Sequence, residues 1–244
     1  MKKLEKVLAT ILLMTMVAFA TGCNNTSSFN GHEYVDLGLP SGTLWATCNV
    51  GASKPEDFGN YYAWGETSIK AKFNWDIYKY CNGSDDQLTK YCNDSDYGYN
   101  GFTDNLTTLL PEDDAATVNW GDGWCMPTAD QWQELYENTT HTWTTQNGVN
   151  GRLFTSLNGN SLFLPAAGFW LSDEPDEHFR NILSGKSQGE IYFFGCFGFY
   201  WSSSLSTDNP NCAWDFTFYS DNYGMFSIGG RDSGSSVRAV RASR

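Results

Sequence analysis

The sequence predicts an α+β domain with two short helices, many short strands and long loops. Three observations lead there. Short segments rich in aromatic and β-branched residues recur along the chain, each bounded by Gly, Pro, Asn or Ser. Only two stretches combine helix-start chemistry with apolar residues behind it. A long polar stretch, residues 81–105, has no hydrophobic periodicity of either kind.

The elements follow in order. Lys2, Lys3 and Lys6 precede an uncharged apolar run from Val7 to Ala20, and Ala20-Thr21-Gly22-Cys23 closes it. Basic, apolar and small residues in that order form a secretory signal, and this run is shorter than the roughly 20 residues a membrane-spanning helix needs. Small residues directly before a Cys resemble the lipobox of bacterial lipoproteins. That resemblance implies removal of residues 1–22, lipidation at Cys23, and a location at the outer membrane, with the domain on the cell surface or the periplasmic face. Residues 23–31 are polar and read as a tether, leaving a domain over 32–244.

His32 to Val50 reads as strand, turn, strand, with the turn at Leu39-Pro40-Ser41-Gly42. Gly51 to Gly65 is loop-like and aromatic. Pro111 to Val118 predicts a short helix, with Glu112, Asp113 and Asp114 near its positive end. The clearest helix starts at Thr128, where Thr128 and Gln131 match a capping box and Trp132, Leu135 and Tyr136 share one face. Later strands are expected at 162–165, 191–194, 199–202, 213–219 and 236–240.

Composition narrows the function. Formal net charge is −13, and −15 once the signal is removed, which excludes nucleic acid as a partner because phosphate binding needs clustered Lys and Arg. Abundant Trp, Tyr and Phe beside Gly, Asn and Ser suit a binding surface and equally an aromatic β core. Six cysteines follow Cys23: 48, 81, 92, 125, 196 and 212. Outside the cytoplasm they permit disulfides, and Cys81 with Cys92, flanking a polar loop, is the expected pair. None has the C-x-x-C spacing of a zinc or redox motif.

Trp124-Cys125-Met126-Pro127-Thr128, followed by Asp130-Gln131-Trp132, resembles the Arg-x-Pro-Thr-x-x-Glu-Trp helix start of formylglycine-generating-enzyme-like and C-type-lectin-like domains. Tyr200-Trp201-Ser202-Ser203-Ser204 and Gly234-Ser235-Ser236-Val237-Arg238 match the later parts of that pattern. The opening, Glu33 to Gly42 with Trp45 to Gly51, is similar to gut-bacterial proteins of the Fibrobacter succinogenes major paralogous domain family. Cys125 stands where the pattern usually has Arg. The resemblance implies a C-type-lectin-like fold with neighbouring termini and a C-terminal ligand surface.

Some members of this group resemble targets of diversity-generating retroelements, which randomise adenines near the end of a gene. Asn codons altered in that way cannot yield Lys, Glu, Gln, Met or Trp. Residues 191–244 contain no Lys, Glu or Gln, and between Ser206 and Ser233 only Trp214 and Met225 lie outside the reachable set. Short aromatic strands and polar turns would also favour such a composition. The expected ligand surface is therefore 206–233, with Trp214, Phe216 and Phe218 inward and Asp215, Thr217 and Tyr219 outward. Its expected contacts are Tyr219 and Tyr223 as anchors, with Asp208, Asn209, Asn211, Asp215, Thr217, Asp221 and Asn222 hydrogen bonding to a protein or glycan.

Catalysis is not expected. The three histidines lie in unrelated contexts, there is no G-x-S-x-G elbow or phosphate loop, and Cys196 and Cys212 lack the electropositive setting of a reactive pair. No cofactor is expected either. Calcium is the one metal candidate, at Asp85, Asp86, Asp94 and Asp96, with Asp208-Asn209-Pro210-Asn211 and Trp214-Asp215 loosely echoing lectin calcium motifs. The reading is a lipid-anchored binding protein. A fimbrial or cell-envelope component is the alternative, and an oxidase of the formylglycine-generating type is a third.

Overall fold

A computed structural model describes residues 25–171, 187–188, 191–227 and 229–242. The signal segment and Cys23 lie outside the described residues, as does His178. Among the described residues no helix is long and apolar enough to cross a membrane.

The chain begins with β1 (Thr26–Phe29), β2 (His32–Asp36), β3 (Leu44–Asn49) and the two-residue β4 (Tyr61–Tyr62). Two helices follow, α1 (Ala115–Trp120) and α2 (Ala129–Glu137). A meander of β5 (Thr140–Gln146), β6 (Val149–Thr155) and β7 (Ser161–Pro165) leads to the short β8 (Phe169–Trp170), β9 (Ser187–Gln188) and β10 (Ile191–Tyr192). The C-terminal part holds β11 (Gly198–Leu205), β12 (Ala213–Phe218), β13 (Tyr223–Phe226), β14 (Ser235–Ser236) and β15 (Arg238–Arg241). Four sheets result, ordered β1-β2-β3-β15, β8-β10-β9, β13-β12-β11-β14-β4 and β5-β6-β7. Among the described residues the protein is sheet-rich with two short helices, consistent with an α+β or a mainly β class.

Local chemistry explains most of these elements. The Thr128 hydroxyl accepts from the Gln131 amide while the Gln131 side chain accepts from the Thr128 amide, the reciprocal pair that starts α2. α1 begins later than Pro111 predicts: Pro111–Asp113 forms a separate 3-10 turn, and Asp114 caps α1 by accepting from Ala116 and Thr117. Asn30-Gly31 and Asn147-Gly148 have φ of 49° and 82°, and 49° and 86°. These left-handed pairs close the β1–β2 and β5–β6 hairpins in the twist that adjoining strands require.

The tether expected over 23–31 is correspondingly shorter. Thr26–Phe29 pairs with β2, and the Phe29 ring lies 3.7 Å from the Arg241 guanidinium. Packing against the domain, rather than polarity, decides the conformation of this stretch.

The core forms two clusters. In one, Trp132 of α2 stacks on Phe216 at 5.0 Å and leans on Trp45 at 4.6 Å, so α2 is fastened to β12 and β3 together. The other surrounds Trp64, Trp124 and Trp201. Asp113 ties the polar 81–105 segment down. It accepts hydrogen bonds from Tyr80, from Tyr91 at 2.7 Å and from Lys90 at 2.5 Å, with Lys79 at 3.2 Å. Burial alone would raise its pKa, but these donors outweigh it and hold the carboxyl at about 2.

Candidate functional site

β12 is the centre of the C-terminal sheet, and its register separates two faces. Asp215 pairs with Trp201 and Phe226, and Thr217 with Phe199 and Gly224. Alternate positions pair Phe216 with Tyr200 and Met225, and Phe218 with Gly198 and Tyr223. Cross-strand partners share a face, so Phe216 and Phe218 pack inward beneath α2. Gly198 is required opposite Phe218, whose ring would lie 2.3 Å from any Cβ there.

The other face does not meet open solvent. Asp215, Thr217 and Tyr219 line a cavity of about 600 Å³, and Asn222 stands at the turn beyond them. Trp201 and Phe199 extend this floor along β11, while Phe169, Phe193 and Phe197 form a wall. The wall is continuous: Phe169 lies 5.0 Å from Phe199, Phe193 4.6 Å from Phe197, and Phe197 4.8 Å from Tyr219. Trp75 closes the far side against the 229–235 turn, which adds Asp232, Ser233 and Ser235.

Within this apolar lining Asp215 is 3% exposed. Its Oδ1 accepts from the Thr217 hydroxyl at 2.5 Å, the only hydrogen bond it makes among the described residues. Burial pushes the carboxyl up to about 7, with the Thr217 bond opposing the shift. Near neutral pH the cavity therefore presents either a neutral acid, which can donate a hydrogen bond, or a carboxylate, which can pair with a cation.

The structure divides the nine expected contacts. Asp215, Thr217, Tyr219 and Asn222 come together in the cavity. Asp221 is exposed at the β12–β13 turn. Asp208, Asn209 and Asn211 lie in the β11–β12 connection, where Asn211 donates to Asp85 at 3.0 Å and Asn209 to the Cys212 thiol at 3.5 Å. Tyr223 belongs to the opposite face. Its register with Phe218 aims it at Tyr136, 5.8 Å away, His141, 4.0 Å away, and the Arg152 guanidinium at 4.7 Å. The register separates Phe216 and Phe218 from Asp215 and Thr217 as expected, but the second face lines a cavity, Trp214 is only half-buried, and Tyr223 packs on the opposite face. The aromatic wall is not legible in the sequence: Phe193, Phe197 and Phe199 recur at close spacing, but nothing local says which element they face.

No known family, curated protein or solved structure matches this chain.

The expected Cys81–Cys92 bridge is not formed. The Cys81 thiol donates to the carbonyls of Trp75 and Tyr78, and the Cys92 thiol to that of Asp94, so each is engaged by local backbone. Cys212 is buried and its thiol is pushed up in pKa, the reverse of what a reactive thiolate needs. Among the described residues no three His, Cys, Asp or Glu side chains converge as metal ligands. Ser84 draws Asp86 toward itself at 2.6 Å, and Asp94 accepts from the Asp96 amide at 3.0 Å, so these carboxylates turn to their own loops.

Proposed function

We propose that the protein is a lipid-anchored binding protein exposed outside the cytoplasm, and that its ligand enters the cavity behind the C-terminal sheet. One observation carries this reading: an apolar, aromatic cavity of about 600 Å³ with a buried carboxyl in its floor. Such a volume suits a small molecule or the tip of a larger one, and a few fixed polar groups in an apolar lining supply orientation.

The lining also supports the idea of a diversified surface. Asp215, Thr217, Tyr219, Asn222, Phe226, Asp232 and Ser233 all fall within 206–233, whereas Trp75, Phe169, Phe193, Phe197, Phe199, Trp201 and Ser235 fall outside it. A mostly aromatic fixed frame would thus hold a variable inset that carries most of the polar groups. The C-type-lectin-like fold is proposed with it, supported by β15 joining the N-terminal strands in one sheet and by α2 packed beneath the C-terminal one.

The cavity is tested with the neutral dye Nile red and the full chain. Saturable fluorescence enhancement is expected for the wild type. Asn222→Trp places an indole at the cavity and should remove most of that enhancement with the melting temperature unchanged. Enhancement that persists undiminished in the folded variant would place dye binding elsewhere and overturn the assignment.

A further inference from the structure

The lining of the cavity is electrically one-sided. Asp215 and Asp232 are both buried, and no Lys, Arg or His is among the described residues that line it. The nearest cations in sequence are turned away. Arg231 donates to the carbonyl of Tyr91 at 2.9 Å and lies 5.3 Å from the Trp64 ring. Arg152 sits on the other face of the β12–β13 pair, where it donates to the Tyr219 carbonyl at 2.6 Å. Asp215 thus makes no ion pair among the described residues, and its surroundings are largely rings.

Two physical effects act together in such a place. Coulomb attraction grows as water is excluded. The negative faces of aromatic rings attract a cation within about 6 Å, most strongly when it is desolvated. We propose that the cavity binds the positive head of a small organic ammonium compound, primary amine to quaternary, with Asp215 as its counter-charge and Trp75, Phe199, Trp201 and Tyr219 as the enclosing rings. The inference rests on the cavity being the ligand site. The volume leaves room for an apolar body behind the head. Among the described residues an anion would meet the Asp215 carboxyl and no donor stronger than Thr217, Asn222, Ser233 or Ser235. A neutral apolar guest would leave Asp215 with the Thr217 hydroxyl as its one partner among the described residues.

Ligand affinity should follow the charge of the floor. Among the described residues, the titratable groups that share this cavity with Asp215 are Asp232, from the turn before β14, and Tyr219, just after β12. Burial holds the Asp215 proton until about pH 7, so a cation is favoured above that pH and disfavoured below it.

The test uses two compounds of nearly equal shape, (3-hydroxyphenyl)trimethylammonium and 3-tert-butylphenol, titrated calorimetrically into the full chain. At pH 8 the cation should bind at least about tenfold more tightly than the phenol, a difference of about 1.4 kcal/mol. At pH 6 the cation should lose about tenfold and the phenol should be unchanged. Asp215→Asn should bring the two compounds to within about threefold at pH 8. The pH contrast in the wild type carries the test by itself if the variant fails to fold. Equal or tighter binding of the phenol at pH 8 would overturn the cation assignment and leave the cavity as an apolar site. Binding of the cation that is unaltered by pH and by Asp215→Asn would also overturn it. Failure of both compounds and of Nile red to bind would remove the cavity reading itself.

Discussion

Asp215→Asn should make the protein more stable, and by an amount that depends on pH. An ordinary aspartate carboxyl titrates near 3.8, and burial raises this one to about 7 in the folded chain. In the unfolded chain it releases its proton near 4, while the folded chain keeps it to about 7. Between those values the folded state holds one more proton, so stability falls as pH rises, by about 1.4 kcal/mol per unit. The full difference between those values corresponds to about 4 kcal/mol of stability, retained below pH 4 and lost by pH 8. An asparagine fits the same space, offers Thr217 the same acceptor and cannot ionise. Urea denaturation of both proteins from pH 4 to pH 8 measures the gap, and Asp232, present in both, cancels. Near-equal stability at pH 4 and an advantage of about 4 kcal/mol for the variant at pH 8 are expected. A gap that does not change with pH, or a variant less stable at pH 8, would show that Asp215 is not a desolvated acid and refute the reasoning.

Three further outcomes are expected. Asp113→Asn should cost about 3 kcal/mol at pH 7, measured by urea denaturation, because it strips the counter-charge from Lys79 and Lys90; the wild-type contribution should itself disappear as pH falls from about 4 to 2. Tyr223→Ala should lower stability by about 2 kcal/mol through lost packing on Tyr136, His141 and Arg152, whereas Tyr219→Ala should leave the thermal midpoint nearly unchanged and weaken Nile red binding. DNA downstream of the gene should carry a near-copy of its 3′ end, differing where the copy has adenine, beside a reverse transcriptase; intact flanking sequence without both would refute diversification.

Much of the fold was legible wherever a local rule decides the structure. The Thr128–Gln131 capping box needs no tertiary contact to be read, and α2 starts there. The Asn-Gly pairs at 30–31 and 147–148 carry an equally local hairpin signal, but polarity around the first suggested a tether. The site was only half legible for a different reason. Alternation along β12 separates Asp215 and Thr217 from Phe216 and Phe218, but period two cannot say whether the second face meets water or another wall. That is fixed by Phe169, Phe193 and Phe197, contributed from outside β12. Tyr223 was misplaced because its side depends on pairing with Phe218 across a turn, which residue spacing within one strand does not reveal. Cys81 and Cys92 flank one loop, yet their thiols face different carbonyls.

The pairing of β3 with β15 joins residues near position 45 to residues near 240. Arg238 is buried there, donating to Asn49 Oδ1 at 2.9 Å and to the carbonyls of Ala46 and Thr47 at 3.0 and 2.7 Å. Such a contact closes a very long loop, and its entropic cost must be met before it returns any stability. The first sheet therefore cannot be completed until residues 238–241 have been made and have returned to β3. A chain interrupted before Arg238 leaves β3 with an open edge, so assembly of this sheet is gated on β15, and such a truncation would yield an unfinished sheet rather than a smaller working protein.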